Sequence, residues 1–260
     1  MKKFTIFGNP VAHSKSPKMH NSAFDGLNIQ ANYSKTLLED GSKLKEKFLE
    51  LGVDGANITL PHKEEAFRIC DKVDSFASRV GAVNTIVKKD NKLYGYNTDA
   101  SGFLRAIRMF NLDIKTILII GAGGTSKAIS RILQDEGYIV TILNRSASRL
   151  ESFEGFERYT FNDFKPKKYD LIVNSTSAGL EDDSLPMPQD MLISILENAK
   201  ASIDVVYGKE TPFLKLSKSL NIPSKDGSDM LLFQGVIAFE KFTNHQFTFE
   251  EIEKFMKKAF

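Results

Sequence analysis

Among the residues of this chain that could do chemistry, a lysine and an aspartate stand out, Lys63 and Asp99, with uncharged polar side chains spaced around them. Asn57 and Thr59 alternate with Ala56, Ile58 and Leu60, so a strand over 56–60 presents both polar side chains on one face. Pro61 ends that strand, and Lys63 falls in the first turn of the helix that follows. A cation there opposes the helix dipole at a mild cost, so Lys63 reads equally as a solvated surface lysine or as a group placed beside the polar strand face. Asn97, Thr98 and Asp99 immediately precede a helix whose apolar stripe is Phe103, Leu104, Ile107 and Phe110. Thr98 or Asp99 reads equally as a helix cap or as a group left for a ligand. Ser14 and Ser16 carry the same ambiguity, since Ser16 before Pro17 is a favoured cap pairing. These residues leave uncharged polar groups and one lysine at strand ends, where ligands sit in open α/β sheets.

The elements that must position these groups alternate along the chain. Strands are expected at 4–7, 32–38, 56–60 and 82–87, and helices over 16–27, 42–51, from Lys63, and over 74–80. KKDNK at 88–92 reads as a polar turn. From Thr116 the pattern changes to a buried parallel strand, four consecutive apolar residues (Ile117 to Ile120), running into GAGGTSKA. The glycines of such a turn permit a tight bend and a close backbone approach to a pyrophosphate held on the helix N-terminus. A second strand over 138–143 ends at Asn144-Arg145-Ser146. There an NAD-binding unit would carry an acid for the ribose hydroxyl, and here Arg145 and Arg149 offer cationic forks suited to a 2′-phosphate. NADP(H) is therefore expected over NAD. Further strands at 169–174 and 202–207, a polar excursion at 181–188, a helix carrying Gln234 and a last helix over 249–260 complete an α/β pattern.

Composition restricts the partners. Of 260 residues, 35 are basic and 33 acidic, giving a net charge of +2, with no basic block to suggest nucleic acid or a membrane surface. No apolar run approaches the roughly 18 residues of a membrane span, and MKKFTIF loses its apolar character at Gly8-Asn9-Pro10. The single cysteine, Cys70, excludes an internal disulfide. His13, His20, His62 and His245 show no metal-ligand spacing. A cytoplasmic protein without a metal, acting on a small molecule, is expected, and monomer or homodimer is left open.

In order, the motifs GNPVAHSKSPKMHN (8–21), NITLPHKE (57–64), GAVNTIV (81–87), YNTDASGF (96–103), GAGGTSKA with Asn144-Arg145-Ser146, and DGSDMLLFQG (226–235) resemble the shikimate dehydrogenase family over nearly the whole chain. The resemblance implies reversible reduction of 3-dehydroshikimate to shikimate with NADPH. It implies an α/β chain of two domains: an N-terminal substrate domain, 1–99 with the returning C-terminal helices of 227–260, and a Rossmann-type doubly wound NADP domain, 100–226. On the substrate side it assigns Ser14 and Ser16 to the carboxylate with Tyr207 nearby. Asn57, Thr59, Asn84, Asp99 and Gln234 take the ring hydroxyls, and Lys63 is the catalytic lysine with Asp99 its partner. On the cofactor side it assigns Gly121, Ala122, Gly123, Gly124 and Thr125 to the pyrophosphate. Asn144, Arg145, Ser146 and Arg149 surround the adenosine phosphate, and Val205 and Gly227 approach the nicotinamide. Three positions depart from the family pattern: Ser126 in place of Gly or Ala, Tyr96 in place of the aspartate usual before NTD, and Gly208-Lys209 where a proline-containing turn is common. The rival readings are a quinate/shikimate dehydrogenase of broader specificity, which calls for an acid near Asn144, and a non-catalytic NADP sensor, which calls for loss of Lys63 or Asp99.

Overall fold

The computed structural model describes all 260 residues. They form two compact units, Met1–Gly102 with Leu232–Phe260, and Phe103–Leu231. The sequence puts the joints at 99/100 and 226/227. In the structure they fall within α5 (Asp99–Arg108) and α10 (Ser228–Phe242), two unbroken helices that carry the chain across each boundary.

The first unit contains, in chain order, β1 (Lys2–Gly8), α1 (Ser16–Gly26), β2 (Ala31–Leu37), α2 (Leu44–Glu50), β3 (Gly55–Ile58), α3 (Lys63–Ile69), β4 (Lys72–Val73), α4 (Ser75–Val80), β5 (Thr85–Lys89) and β6 (Lys92–Tyr96). Its sheet runs β2-β1-β3-β5-β6-β4 and is mixed. β1 pairs in parallel with β2 and β3, while β5 lies antiparallel to both β3 and β6. The β5–β6 hairpin was not apparent from the sequence beyond its polar turn. Its two-residue turn, Asp90-Asn91, has positive φ at both positions, the geometry that matches strand twist in tight hairpins. The strand expected over 82–87 starts only at Thr85, and the helix expected over 42–51 is a 3₁₀ turn, Gly41–Lys43, followed by α2.

The second unit contains β7 (Thr116–Ile120), α6 (Gly124–Asp135), β8 (Ile139–Asn144), α7 (Ala147–Leu150), β9 (Glu157–Thr160), β10 (Leu171–Asn174), α8 (Gln189–Leu196), β11 (Ala201–Asp204), α9 (Pro212–Ser219) and β12 (Ser224–Lys225). Its six strands are all parallel in the order β12-β11-β10-β7-β8-β9. Numbered within the unit, this is the doubly wound order 3-2-1-4-5-6, whose chain reversal lies between β7 and β10. The glycine turn leaves β7 at that reversal. The strand expected over 202–207 stops at Asp204, because the Asp204 carboxylate turns back to accept the N–H of Val206.

The last helix, α11 (Phe249–Met256), returns to the first unit and packs on α1. Ser22 donates its hydroxyl to the Phe255 carbonyl at 2.7 Å. A Cβ at Gly26 would stand 2.1 Å from the Phe255 ring, so glycine is required there. Beneath α1, the rings of Phe4, Phe24, Phe239 and Phe242 enclose His20 and Tyr33. No helix is long and apolar enough to cross a membrane.

Candidate active site

Lys63 is the first residue of α3, and its placement is fixed from both sides. The turn before it is held by Asn9 N–H on the Leu60 carbonyl, His62 N–H on that of Thr59, and the His62 ring, whose Nε2 donates to the Leu38 carbonyl at 2.6 Å. The Lys63 carbonyl then accepts from Val83 N–H. Asp99 opens α5, where its charge suits the helix N-terminus. The cap of that helix is Asn97, whose Oδ1 accepts from Ala100 N–H, which leaves the Asp99 carboxylate for Lys63. Lys63 Nζ and Asp99 Oδ2 stand 2.6 Å apart, with 16% and 12% of the two side chains exposed. A charge pair this short and this sheltered fixes the ammonium group at one point while leaving its remaining protons for a substrate oxygen.

Beside this pair lies a buried polar row. Asn57 Nδ2 donates to Thr85 Oγ1 at 3.0 Å, and Thr85 donates to Asn84 Oδ1 at 3.2 Å. Asn84 Nδ2 in turn donates to Thr98 Oγ1 at 3.0 Å, and Thr98 reaches Gln234 Oε1 at 3.5 Å. Asn84 is pinned through its backbone, which accepts from Ile58 N–H and donates to the Tyr96 carbonyl. Gln234 is brought close by Gly102: a Cβ there would meet Gln234 N at 2.6 Å, so α5 and α10 touch backbone to backbone. Gly8 does the same for Thr59, whose Cγ2 would lie 2.3 Å from an added Cβ. The structure thus gathers Asn57, Asn84, Thr98, Asp99, Lys63 and Gln234 into one connected group. The Asn57 amide, however, is engaged wholly by protein partners, with Oδ1 on Tyr33 and Nδ2 on Asn84 and Thr85.

The serines differ from the simplest reading. Ser16 is already the first residue of α1, so it is not the cap; Ser14 Oγ accepts its N–H at 3.3 Å. Ser16 is buried, whereas Ser14 is half-buried. Tyr207 belongs to the second unit, on the segment between β11 and α9, and burial raises its hydroxyl pKa. That segment is pinned by one carboxylate. Asp204 accepts from Val206 N–H, Asn174 Nδ2 and, at 2.6 Å, the Thr211 hydroxyl; burial pushes its pKa up. Gly227, between β12 and α10, comes up against it, since a Cβ on Gly227 would lie 2.2 Å from the Val205 carbonyl oxygen.

The glycine turn has the properties a pyrophosphate needs. Gly121 has φ +112°, and a Cβ there would strike Ser175 Oγ at 2.9 Å. Gly123 and Gly124, at the mouth of α6, face open space in which an added Cβ meets nothing within 4 Å. A cavity of about 650 Å³ opens beside this turn, lined by Gly121, Asn144, Arg145, Phe161, Thr176 and Met187 among others. Its far wall is the 181–188 segment, which the sequence showed only as a polar excursion. The acid on that wall, Asp182, is exposed and engaged locally, its Oδ1 accepting from Gly179 N–H and from the Ser184 N–H and hydroxyl. Arg145 lines the cavity; Arg149 is exposed on α7 and does not. Open glycines at a helix N-terminus, a cationic fork at the end of β8 and no acid at that strand end fit a dinucleotide carrying a 2′-phosphate.

Comparison with known proteins agrees with this construction. Residues 6–86 match the family model described as shikimate dehydrogenase substrate binding domain, and residues 105–181 the one described as shikimate / quinate 5-dehydrogenase. The NADP(+) shikimate dehydrogenase of Helicobacter hepaticus is 45% identical over 254 residues, covering 96% of this chain and 94% of the relative. The chain belongs to the shikimate dehydrogenase family. A Helicobacter pylori relative of the same description is 42% identical over 100% of this chain and 99% of its own. Among solved structures of the family, the Thermus thermophilus enzyme in complex with NADP(H) and shikimate matches with a TM-score of 0.85 at 33% identity, covering both chains fully. The Peptoclostridium difficile enzyme gives 0.87 at 31% identity over 100% of this chain and 98% of that one.

Sequence reasoning missed Tyr33, Thr85, Ser175, Thr176 and Phe161. Their only sequence signal was position, each lying on or just beyond a strand.

Proposed function

We propose that this chain catalyses the reversible NADPH-dependent reduction of 3-dehydroshikimate to shikimate, a step toward aromatic amino acids. The observation that carries the reading is the sheltered 2.6 Å Lys63–Asp99 pair set against the Asn84–Thr98–Gln234 row. When bound, NADP supplies or accepts the hydride. In reduction the carbonyl oxygen gains negative charge, which the Lys63 ammonium stabilises and then protonates. Asp99 holds that ammonium in place and accepts from a substrate hydroxyl. Asn84, Gln234 and Thr59 take the remaining hydroxyls, with Asn57 behind them, and Ser14, Ser16 and Tyr207 take the carboxylate. Gly121, Ala122, Gly123, Gly124 and Thr125 hold the pyrophosphate. Asn144, Arg145, Ser146 and Arg149 hold the adenosine phosphate, and Val205 and Gly227 border the nicotinamide. The proposal includes a cytoplasmic location and a monomer or homodimer.

The test is a spectrophotometric assay of the purified protein offered shikimate or quinate with NADP⁺ or NAD⁺. Turnover confined to shikimate with NADP⁺ is expected. Equal use of quinate would move the assignment to a broader dehydrogenase, and no turnover in any combination would refute it.

A further inference from the structure

The buried polar row has a direction, and the direction is set by two backbone groups. Asn57 Nδ2 lies 3.3 Å from the Asn84 main-chain oxygen, a position only a donor can occupy, so Asn57 Oδ1 must face Tyr33. Asn84 Oδ1 lies 2.7 Å from Thr98 N–H, so its Nδ2 must face the Thr98 hydroxyl. With both amides fixed, Tyr33 donates to Asn57 at 2.6 Å, Asn57 to Thr85, and Asn84 to Thr98. The Thr85 hydroxyl stands 3.2 Å from Asn84 Oδ1 and 3.3 Å from Thr98 Oγ1, and the Thr98 hydroxyl stands 3.3 Å from Asn84 Oδ1 and 3.5 Å from Gln234 Oε1. Tyr33 at the head is itself immobilised. Asn21 brackets its backbone, accepting its N–H at 2.8 Å and donating to its carbonyl at 2.9 Å. The His20 ring stacks on its face at 4.3 Å, and the Ser16 hydroxyl lies beside its own. The sequence motif from Ser16 to Asn21 thus converges on one tyrosine.

Resting on the functional proposal above, we infer that Tyr33, Thr85 and Thr98 are positioning residues whose buried hydrogen-bonded row fixes how the Asn84 and Gln234 amides meet the substrate hydroxyls. Tyr33, Thr85 and Thr98 are 2%, 0% and 1% exposed, so they act through their neighbours. Each link orients the next, and aligned hydrogen bonds in a low-dielectric interior reinforce one another. Thr98 is the pivotal link. Its hydroxyl accepts from Asn84 Nδ2 at 3.0 Å and lies 3.5 Å from Gln234 Oε1, so one atom stands against both amides.

Thr98→Val keeps the shape and removes both bonds. The KM for shikimate should rise about tenfold, equivalent to ~1.4 kcal/mol, with kcat within about twofold and the NADP⁺ KM unchanged. Thr98→Ser should restore the wild-type KM, and Tyr33→Phe should raise it about threefold. A merely structural role would lower the active fraction, and so the apparent kcat, without moving KM. A Thr98→Val enzyme with wild-type shikimate KM overturns the inference. Hydrogen exchange of the Asn84 side-chain amide, followed by NMR without any substrate, reads the row independently of the assigned reaction. Faster exchange in Thr98→Val supports the row even if the wild-type protein oxidises no shikimate, and unchanged exchange overturns it.

Discussion

His20 gives the sharpest link between this structure and a solution measurement. It is fully buried, neither ring nitrogen has a hydrogen-bond partner, and its neighbours are the rings of Tyr33, Phe24, Phe239 and Phe242. None of those groups is charged near neutrality, since burial holds the Tyr33 hydroxyl pKa well above its ordinary value. Desolvation therefore acts on the His20 imidazolium unopposed and lowers its pKa from 6.5 to about 3. Below about pH 6.5 the unfolded chain binds this proton while the folded chain refuses it, so stability is full above about pH 6.5 and is lost as pH falls toward 3. Linkage puts the loss between about pH 7.5 and pH 5 at about 2 kcal/mol, a large fraction of a typical domain's stability. The assay is urea unfolding followed by far-ultraviolet circular dichroism at a series of pH values, on wild type and His20→Phe. The variant keeps a flat ring on Tyr33 and lacks the titrating group, so other titrations cancel in the difference between the two curves. Whatever its absolute stability, the variant should lose about 2 kcal/mol less than wild type over that interval. Parallel curves would show that His20 does not pass from charged to neutral on folding, and the argument from burial would fail.

Lys63→Ala should lower kcat about a thousandfold or more, with shikimate KM changed only a few-fold, because the lysine acts on charge that develops during reaction; near-normal turnover would remove it from the chemistry. Arg145→Asp should raise the NADPH KM by about 10- to 100-fold, as expected for a lost charge-assisted contact, and leave NADH use nearly unchanged; equal losses would reject the 2′-phosphate contact. Burial by itself would push the Asp170 pKa up, but Lys200, the N–H groups of Thr116 and Lys115 and the Thr116 hydroxyl outweigh it and hold the pKa well below the carboxylate range. Its contribution is present above about pH 4 and is lost as pH falls below that; Asp170→Ala should cost about 3 kcal/mol at neutrality in urea unfolding, and an unchanged midpoint would contradict the accounting.

The sequence carried the parallel sheet of the second unit most clearly, because a run such as Ile117–Ile120 followed by glycines has few other structural solutions. It carried the hairpin of the first unit least, since β6, KLYGY, is only five residues long and its pairing depends on the positive φ of Asp90 and Asn91. Residue type was enough to single out Lys63 and Asp99, but not to choose between cap and ligand group for Asp99. That choice is made by Asn97 Oδ1, two residues upstream, which takes the cap. Tyr33 was illegible as part of a site because its neighbours there come from α1 and β3, and only the register Phe4↔Tyr33 and Phe4↔Gly55 across β1 brings β2 and β3 into range. The 181–188 wall was illegible for a related reason: the burial of Met187 is a tertiary fact with no local pattern.

Ser126 shows why a departure from a sequence fingerprint need not weaken it. The position calls for a small residue because α6 packs closely on the sheet there, and a buried hydroxyl at that point would be costly if left without partners. Here it has two. Ser126 Oγ accepts the N–H of Gly123 at 3.2 Å and pairs with Ser175 Oγ at 2.7 Å, while Ser175 donates to the Ile120 carbonyl at 2.9 Å. Because the Ser175 proton is committed to Ile120, the Ser126 proton must point to Ser175, and the order is forced: Gly123, Ser126, Ser175, Ile120. The links join the mouth of α6 to the ends of β7 and β10, across the chain reversal where the glycine turn emerges. An alanine would satisfy the packing and leave Gly123 N–H without this partner; a glycine would add backbone freedom as well. The serine therefore orders the turn that glycines make permissive. A related device acts in the first unit, where the Asn84 carbonyl and the Thr98 N–H fix which way the Asn57 and Asn84 amides face. In both units, polar side chains beside the ligand sites are oriented by hydrogen bonds to backbone groups.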